Sequence, residues 1–186
     1  MKRYFDIIIA LIVLFLLSIP MLVISILIKI TSKGPVIYWS HRVGRNNVIF
    51  HMPKYRTMVV NTPVVATHLL KDSSLFVTPL GRVLRKTSID EIPQLISILR
   101  GQMSFVGPRP ALYNQDDLIS LRTEKGVHVM PPGLTGLAQI NGRDSLPVAK
   151  KVEYDVYYLQ HKSMLMDVKI IGLTFLRIFH NEDIHH

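Results

Sequence analysis

The chain has 186 residues, a formal net charge of +9 and no cysteine. This length predicts a single domain that is large enough to bury a core. Without cysteine, disulfides, a thiolate nucleophile and Cys-ligated zinc are excluded, and a reducing compartment is favoured. The positive charge predicts an anionic partner, such as nucleic acid, anionic lipid or a phosphorylated substrate.

An uncharged apolar run, residues 7–28, lies near the N-terminus. It is long enough to cross a bilayer, which takes roughly 20 residues, and it lacks the small-residue cleavage site of a signal peptide. Pro20 lies near its middle, where the missing N–H and the ring favour a kink. The nearby hydroxyl of Ser18 can bond a carbonyl that such a kink leaves without a partner.

Charges at the two ends of this run indicate its topology. Lys2 and Arg3 precede the run, and Lys29 and Lys33 follow it. A single span would place one basic flank on the outer side of the membrane, against the positive-inside rule. We therefore predict a re-entrant helix that enters the membrane, bends near Pro20 and returns to the same face. An ordinary kinked span is the alternative.

The pattern of elements predicts an α+β fold, with a membrane helix over residues 1–33 and a compact, membrane-associated domain over residues 34–186. Strand composition on either side of a turn at 44–47 predicts a β-hairpin. Further along the chain, the predicted elements are a short helix over 79–85, a second short helix that starts near Ser88 or Asp90 and stops at Gly101, a strand over 103–106, a helix over 111–124, a strand over 137–140 and a helix over 147–161. The apolar segment 164–179 predicts a helix that lies in the membrane interface or docks onto the core.

Asp90 and Glu91 form an adjacent acidic pair at the start of a short amphipathic helix. Ser88 with Glu91 matches a capping box, but that register places Pro93 where an amide is needed. A helix starting at Asp90 moves Pro93 into the first turn, where it is tolerated. In either register the carboxylates lie at a helix N-terminus, where free amides and the dipole favour ionised acids. Taken alone, the pair is explained by capping.

Basic side chains flank the acidic pair in the sequence. Arg82 and Arg85 precede it, and Arg109 follows it in a turn whose φ angles are restricted by Pro108 and Pro110. An arginine presented from such a stiff turn suits bidentate contact with phosphate. Two carboxylates surrounded by guanidinium groups could hold both a divalent metal ion and phosphates.

Lys54 and Arg56 end the predicted hairpin. One interpretation is a solvated strand edge whose charges discourage pairing with another chain. The other is contact with phosphate or lipid headgroups. The sequence favours the two interpretations about equally.

Several stretches of the chain together resemble a known family. They are residues 54–58, 87–95, 101–110, 132–143 and 155–158. Over nearly its whole length the chain is similar to the small monotopic phosphoglycosyl transferases, the bacterial sugar transferases that start capsule, O-antigen and glycoprotein glycan assembly. The combination of stretches is specific, whereas an Asp-Glu pair alone would not be.

The resemblance implies transfer of a sugar-1-phosphate from a UDP-sugar to undecaprenyl phosphate, with release of UMP. It implies that Asp90 is the nucleophile of a covalent phosphosugar intermediate and that Mg²⁺ is held by Asp90 and Glu91. It also implies that Arg85 contacts phosphate and that the Pro108–Arg109–Pro110 turn recognises the nucleotide. Lys54, Arg56 and Arg143 complete the predicted substrate-binding set.

The resemblance further implies a location at the bacterial inner membrane, with the catalytic domain on the cytoplasmic face and membrane lipids as partners. A homodimer is a possible assembly. The most similar members act on N-acetylated, often 6-deoxy, amino sugars. Departures from the family pattern are Ile19, which separates Ser18 from Pro20, the Met130-Pro131 pair, and Leu137 in place of tryptophan.

Three other functions fit parts of the sequence. A membrane-anchored metal-dependent hydrolase would use the same acidic pair with water as acceptor. A non-catalytic scaffold for anionic lipid would explain the apolar segments and basic flanks. A nucleic-acid binder would explain the charge, but aromatic content is only 8% and no helix-turn-helix, RRM or zinc pattern is present, so no nucleic-acid partner is expected.

Overall fold

A computed structural model of the chain describes residues 1–60, 62, 76–142 and 145–180. The helices are α1 (Lys2–Leu16), α2 (Ser18–Thr31), α3 (Pro79–Lys86), α4 (Leu95–Leu99), α5 (Asp116–Glu124), α6 (Leu137–Ile140), α7 (Val148–His161) and α8 (Met164–His180). The strands are β1 (Ile37–Val43), β2 (Ile49–Tyr55), β3 (Ser104–Val106) and β4 (Gly133–Thr135). Short 3₁₀ segments are Arg45–Asn47, Ile89–Gln94 and Val127–Val129. The predicted α+β class is confirmed.

The strands form two small sheets within the described residues. β1 and β2 pair antiparallel, with His41 opposite His51, and this confirms the predicted hairpin. Its turn contains Asn46 and Asn47 at positive φ (55° and 59°), a conformation that asparagine tolerates. β3 pairs in parallel with β4.

One predicted strand and one predicted helix boundary are wrong. Residues 137–140 form helix α6 instead of a strand, because a short apolar run of Leu, Ala, Gln and Ile has no decisive periodicity and contains good helix formers. The helix predicted over 111–124 begins only at Asp116. Leu112 instead forms an isolated β-bridge with Arg42 of β1, and the Leu112 amide donates to the side chain of Gln115.

Three other helices, α3, α7 and α8, follow the prediction more closely. α3 begins after Thr78, whose Oγ1 accepts a hydrogen bond from the Gly81 amide at 3.0 Å, and Pro79 occupies its first turn. α7 lies where the sequence predicts it. α8 docks one face onto the core through Asp167 and Ile170, while Leu165 on another face is exposed.

The N-terminal helices α1 and α2 are bent by 62° at a break at Leu17. Pro20 lies in the first turn of α2, where its missing N–H costs least, so the predicted kink near this residue is confirmed. Ser18 Oγ donates to the carbonyl of Phe15 at 2.8 Å, as the sequence suggested for the broken turn. Among the described residues no single helix is long and apolar enough to cross a bilayer, whereas this bent pair meets that criterion jointly.

Both N-terminal helices pack against the same body. Ala10 of α1 is fully buried in the main core cluster with Leu95 and Ile98. Ile28 of α2 is buried in a second cluster with Tyr55 and Leu84, which joins α2 to β2 and α3. Ile9, Val13, Leu14, Met21 and Ile24 are partly buried against these clusters. Many of the other apolar side chains of the two helices are exposed, including Ile8, Leu11, Phe15, Leu16, Ile19, Leu22, Val23 and Ile26.

Polar contacts fasten the start of α1 to the core. Lys2 forms an ion pair with Asp167, which also accepts a hydrogen bond from the hydroxyl of Tyr158. Asp6 accepts hydrogen bonds from the Ser104 hydroxyl at 2.8 Å and from the backbone amide that follows it at 3.2 Å. We call Lys2, Asp6, Tyr158 and Asp167 the helix-base cluster.

Candidate active site

The acidic pair lies in the 3₁₀ segment Ile89–Gln94 and is largely buried, with Asp90 8% and Glu91 9% exposed. The capping box is not formed. Ser88 has φ 55° and ψ 15° and makes no side-chain capping bond, because a left-handed residue is not in the extended conformation that an N-cap requires. Both acids nevertheless lie in the first turn of this segment, as the sequence predicted for either register, so only the Ser88–Glu91 capping box is wrong.

Two basic side chains from distant segments contact Glu91. Lys54 Nζ, at the end of β2, lies 3.0 Å from Glu91 Oε1. Arg109 Nη2 lies 3.5 Å from the same oxygen. Only 16% of the Lys54 side chain is exposed, so the interpretation of Lys54 as a solvated strand edge is wrong.

Arg85 reaches the pair from α3. Its Nε donates to Thr57 Oγ1 at 2.9 Å, and its charge favours the ionised form of Asp90. Arg82, one turn earlier, is exposed, and no contact described for the two acids involves it. We call Lys54, Arg85, Asp90, Glu91 and Arg109 the acidic-pair cluster.

Burial dominates the electrostatics of the acidic-pair cluster. Desolvation raises the pKa of Asp90, partly offset by the charge of Lys54, while Glu91 raises this pKa further. Desolvation also lowers the pKa of Lys54 and that of Arg85. The N-terminal position of the acid in its helix favours the ionised form, whereas burial acts in the opposite direction. Three basic groups surround two carboxylates, an imbalance that suits an incoming anion.

The turn that carries Arg109 is held by its carbonyl oxygens. The carbonyl of Pro108 accepts from the Gly133 amide at 2.8 Å. That of Arg109 accepts from Arg122 Nη1 at 2.8 Å, and that of Pro110 accepts from an arginine of β1 at 3.1 Å. The turn is therefore tied both to β4 and to the hairpin.

Arg122 is a residue that the sequence interpretation missed. It lies on α5, is 9% exposed, and its guanidinium donates twice to Asp155 Oδ2, at 2.9 and 2.7 Å. An arginine near the end of a polar helix gives no sequence signal of burial. Asp155 lies in one of the stretches that carry the family resemblance, but that stretch indicated no role for it.

The other predicted binding residues lie elsewhere or outside the described chain. Arg56 is 6% exposed, so it is not a solvated edge either. Its Nη2 donates to the carbonyl and hydroxyl oxygens of Ser32, at 2.8 and 2.6 Å, and so binds the C-terminal end of α2, where a positive charge is favourable. Its role in substrate binding stays a prediction. Arg143 lies outside the described residues.

The donor set of the acidic pair fits magnesium. In the part of the chain that the structure describes, no group of three or more His, Cys, Asp or Glu side chains could hold a metal ion. Mg²⁺, however, is commonly bound by one or two carboxylates, with water and substrate phosphates as its other ligands. Asp90 and Glu91 provide such a pair, and Lys54 and Arg109, which contact Glu91, add positive charge that favours phosphate.

Comparison with known proteins identifies the family of the chain. A family model described as bacterial sugar transferase matches residues 1–181. The chain is 37% identical to the exopolysaccharide production protein ExoY of Sinorhizobium fredii, over 93% of this chain and 83% of that protein. It is 39% identical to the UDP-glucose:undecaprenyl-phosphate glucose-1-phosphate transferase of Klebsiella pneumoniae, over 97% of this chain but only 40% of that protein.

A third relative is the UDP-N-acetylgalactosamine-undecaprenyl-phosphate N-acetylgalactosaminephosphotransferase of Aeromonas hydrophila, which is 36% identical over 95% of this chain and 43% of its own length. The chain thus spans about two fifths of the Klebsiella and Aeromonas proteins and most of ExoY. The match covers the acidic-pair cluster and both N-terminal helices. The chain belongs to the bacterial sugar transferase family.

Proposed function

We propose that this protein transfers a sugar-1-phosphate from a UDP-sugar to undecaprenyl phosphate and releases UMP, through a covalent intermediate on Asp90. One observation carries the proposal: two adjacent, buried carboxylates lie among basic side chains brought together from three other segments. The names of the Klebsiella and Aeromonas relatives, which state this type of transfer, support it.

In the first proposed step Asp90 is the nucleophile. A carboxylate oxygen attacks the β-phosphorus of the UDP-sugar, the bond from this phosphorus to the bridging oxygen breaks, and UMP leaves with the bridging oxygen. The sugar-1-phosphate stays on Asp90 as an acyl phosphate. Attack needs the ionised carboxylate, and the charge of Lys54 favours this form by lowering the pKa of Asp90 against the effect of burial.

The other residues of the acidic-pair cluster neutralise and orient the diphosphate. Arg85 precedes the two acids in the sequence and Arg109 follows them, and the charge of each acts on the acids in the folded chain. Guanidinium groups bind phosphate oxygens well. Glu91, with Asp90, would hold Mg²⁺, which supplies charge neutralisation at the transferred phosphate when bound. Lys54 lies against Glu91 and adds positive charge where the leaving phosphate develops its own negative charge.

In the second proposed step an oxygen of undecaprenyl phosphate attacks the phosphorus of the acyl phosphate. The bond to Asp90 breaks, the carboxylate is regenerated, and the lipid-linked diphosphate sugar forms. The covalent route avoids bringing two large anionic substrates together at one time. A water molecule in place of the lipid phosphate would give a nucleotide-sugar hydrolase, the nearest alternative function.

We also propose that α1 and α2 form a re-entrant membrane anchor at the cytoplasmic face of the inner membrane. The 62° bend, the exposed apolar side chains on both helices, and the packing of Ala10 and Ile28 against the same body support this. Such an anchor holds the active site at headgroup depth, where the phosphate of a lipid acceptor lies.

The absence of cysteine allows a direct test of this anchor. Single-cysteine variants Tyr4→Cys, on α1, and Lys150→Cys, on α7, should react with a membrane-impermeant maleimide from the same side of sealed vesicles. Ile19→Cys, at the bend, should be protected. Labelling of Tyr4→Cys and Lys150→Cys from opposite sides would favour a single span.

For the donor, we propose a UDP-linked N-acetylated amino sugar, with a 6-deoxy sugar as the favoured form, on the basis of the resemblance. The names of relatives include glucose and N-acetylgalactosamine transferases. A panel of UDP-sugars, assayed for UMP release with undecaprenyl phosphate present, tests this directly. Strongest turnover with UDP-glucose would contradict the amino-sugar proposal and leave the transferase proposal intact.

The decisive experiment uses Asp90→Asn and a donor labelled in the sugar. Wild type should release UMP, form lipid-linked sugar diphosphate and, without acceptor, retain label on the protein. Asp90→Asn should lose all three, while Asp116→Asn, an exposed acid on α5, should retain them. Free sugar phosphate as the product would indicate the hydrolase, and donor binding without any product would indicate a scaffold.

A further inference from the structure

The Pro108–Arg109–Pro110 turn is held from behind by polar contacts. Because proline has no N–H, the carbonyl oxygens are the main backbone groups that can anchor this turn. All three accept hydrogen bonds. The first anchor is backbone: Gly133 approaches so closely that a Cβ there would lie 2.1 Å from the amide nitrogen of Gly107.

The anchor on Arg109 itself is a buried side chain. Arg122 Nη1 donates to the Arg109 carbonyl at 2.8 Å, while Nε and Nη2 of the same guanidinium donate to Asp155 Oδ2. Asp155 is 2% exposed and Arg122 is 9% exposed. The planar guanidinium therefore connects α7 and α5 to the backbone of the residue whose side chain contacts Glu91.

A pocket that is partly open to solvent adjoins this part of the turn, lined in part by Pro108, Ala111, Ile119, Arg122, Met130 and Pro132. On the side of the pocket, apolar contacts alone therefore hold the turn less tightly than close packing would. Arg122 lines this pocket, and its hydrogen bond to the Arg109 carbonyl opposes a shift of the turn.

We propose that the Asp155–Arg122 pair positions Arg109 for nucleotide recognition. Asp155 orients the guanidinium of Arg122, and Arg122 holds the Arg109 carbonyl. The Arg109 side chain is thereby directed towards Glu91. Neither Asp155 nor Arg122 touches the substrate in this arrangement. The inference rests on the proposed function, because it requires that Arg109 binds the nucleotide.

The test measures UDP binding to the full-length protein in detergent, together with thermal unfolding. Asp155→Asn should weaken UDP binding about tenfold, since a hydrogen bond to a charged group is lost from the support of the turn. Asp167→Asn is the matched control, because Asp167 is also 2% exposed and also accepts from a basic side chain. It should lower thermal stability without changing UDP affinity.

A double-mutant cycle distinguishes positioning from general destabilisation. Once Arg109→Ala has removed the guanidinium, adding Asp155→Asn should weaken UDP binding no further. Additive losses, or equal losses of affinity in Asp155→Asn and Asp167→Asn, would overturn the proposal.

If Asp155→Asn does not fold, Arg122→Lys provides the second variant. Lysine keeps the charge but cannot bridge both partners with a planar fork, so UDP binding should weaken several-fold while thermal stability changes less than in Asp155→Asn. Unchanged affinity in Arg122→Lys would overturn the positioning role. Failure of wild type to bind UDP would instead refute the proposed function, so the two failures are distinguishable.

Discussion

Two buried clusters of charged groups differ in the partners that their acids contact. In the helix-base cluster, Asp167 accepts from Lys2 and Tyr158, and Asp6 accepts from a hydroxyl and a backbone amide. In the acidic-pair cluster, three basic groups surround two acids, and the contacts to Glu91 are 3.0 and 3.5 Å long. The first set of contacts fastens a helix, whereas three cations gathered around two adjacent acids provide a setting that favours an anion.

Burial acts on titrating groups in both clusters, but with different consequences. It raises the pKa of Tyr158, which then stays a neutral donor to Asp167. It also raises the pKa of Asp90, where the proposed chemistry needs the ionised form. The neighbouring cations, Lys54 first, offset burial only in the second case. The contrast separates a cluster that stabilises the fold from one suited to catalysis.

The largest effect is expected from Arg109→Ala in the acidic-pair cluster. Loss of one preorganised donor to developing phosphate charge should lower kcat/KM for UMP release about 10²- to 10³-fold. Thermal stability should change little, because the contact to Glu91 is long and the Arg109 side chain is 27% exposed. Arg82→Ala, which alters an exposed arginine on α3, is the control and should leave both quantities unchanged. A large loss of stability with unchanged activity would mean that the acidic-pair cluster stabilises the fold and does not serve catalysis.

Asp167→Asn should give the opposite pattern in the helix-base cluster. It removes the charge that pairs with Lys2 and weakens the acceptor for Tyr158. Since Lys2 is partly solvated, we expect the free energy of unfolding to fall by about 2 kcal/mol. Denaturant unfolding in detergent measures it. Activity per folded molecule should remain near wild type, and its collapse would show that this cluster also serves the chemistry.

Tyr158→Phe gives the smallest expected effect, and it depends on pH. The pKa of Tyr158 is raised in the folded protein, so above about pH 10 the unfolded chain loses this proton while the folded chain keeps it. Fewer protons bound in the unfolded state mean that stability falls as pH rises, by about 1.4 kcal/mol per pH unit from this group.

The Phe variant lacks this group, so its stability should fall less steeply between pH 10 and pH 11 than that of wild type. Denaturant unfolding at several pH values measures the two slopes. Parallel curves would mean that Tyr158 ionises equally in both states. At pH 8 the variant should be less stable than wild type, by about 1 kcal/mol for the lost hydrogen bond.

Local patterns predicted much of the fold. The hairpin, α3, α7 and the bend near Pro20 follow from turn residues, helix periodicity and the missing proline N–H, which act over a few neighbouring residues. At two places the local pattern was misread. Ser88 adopts a left-handed conformation and does not form the capping box. Residues 137–140 form a helix that follows β4 in the chain, and it is β4 that pairs with β3.

The candidate site, like the fold, was predicted from the sequence only in part. Asp90 and Glu91 are adjacent in the chain, and Arg85 and Arg109 lie close enough in sequence to be proposed as their neighbours. The contact of Lys54 with Glu91 and the burial of both are properties of the packed chain. The Arg122–Asp155 pair left no trace in periodicity or composition, because an arginine and an aspartate on two polar helices resemble exposed residues until the helices pack together.

By itself, the sequence determined an apolar bent segment, an α+β body, and an acidic pair with arginines nearby, because these depend on composition and on short-range chain geometry. Only the tertiary structure decided which cations reach the acids, how deeply the acids are buried, and how the arginine turn is supported. Those outcomes depend on contacts between residues far apart in the chain, and desolvation, which raises the pKa of Asp90, exists only once these contacts exclude water.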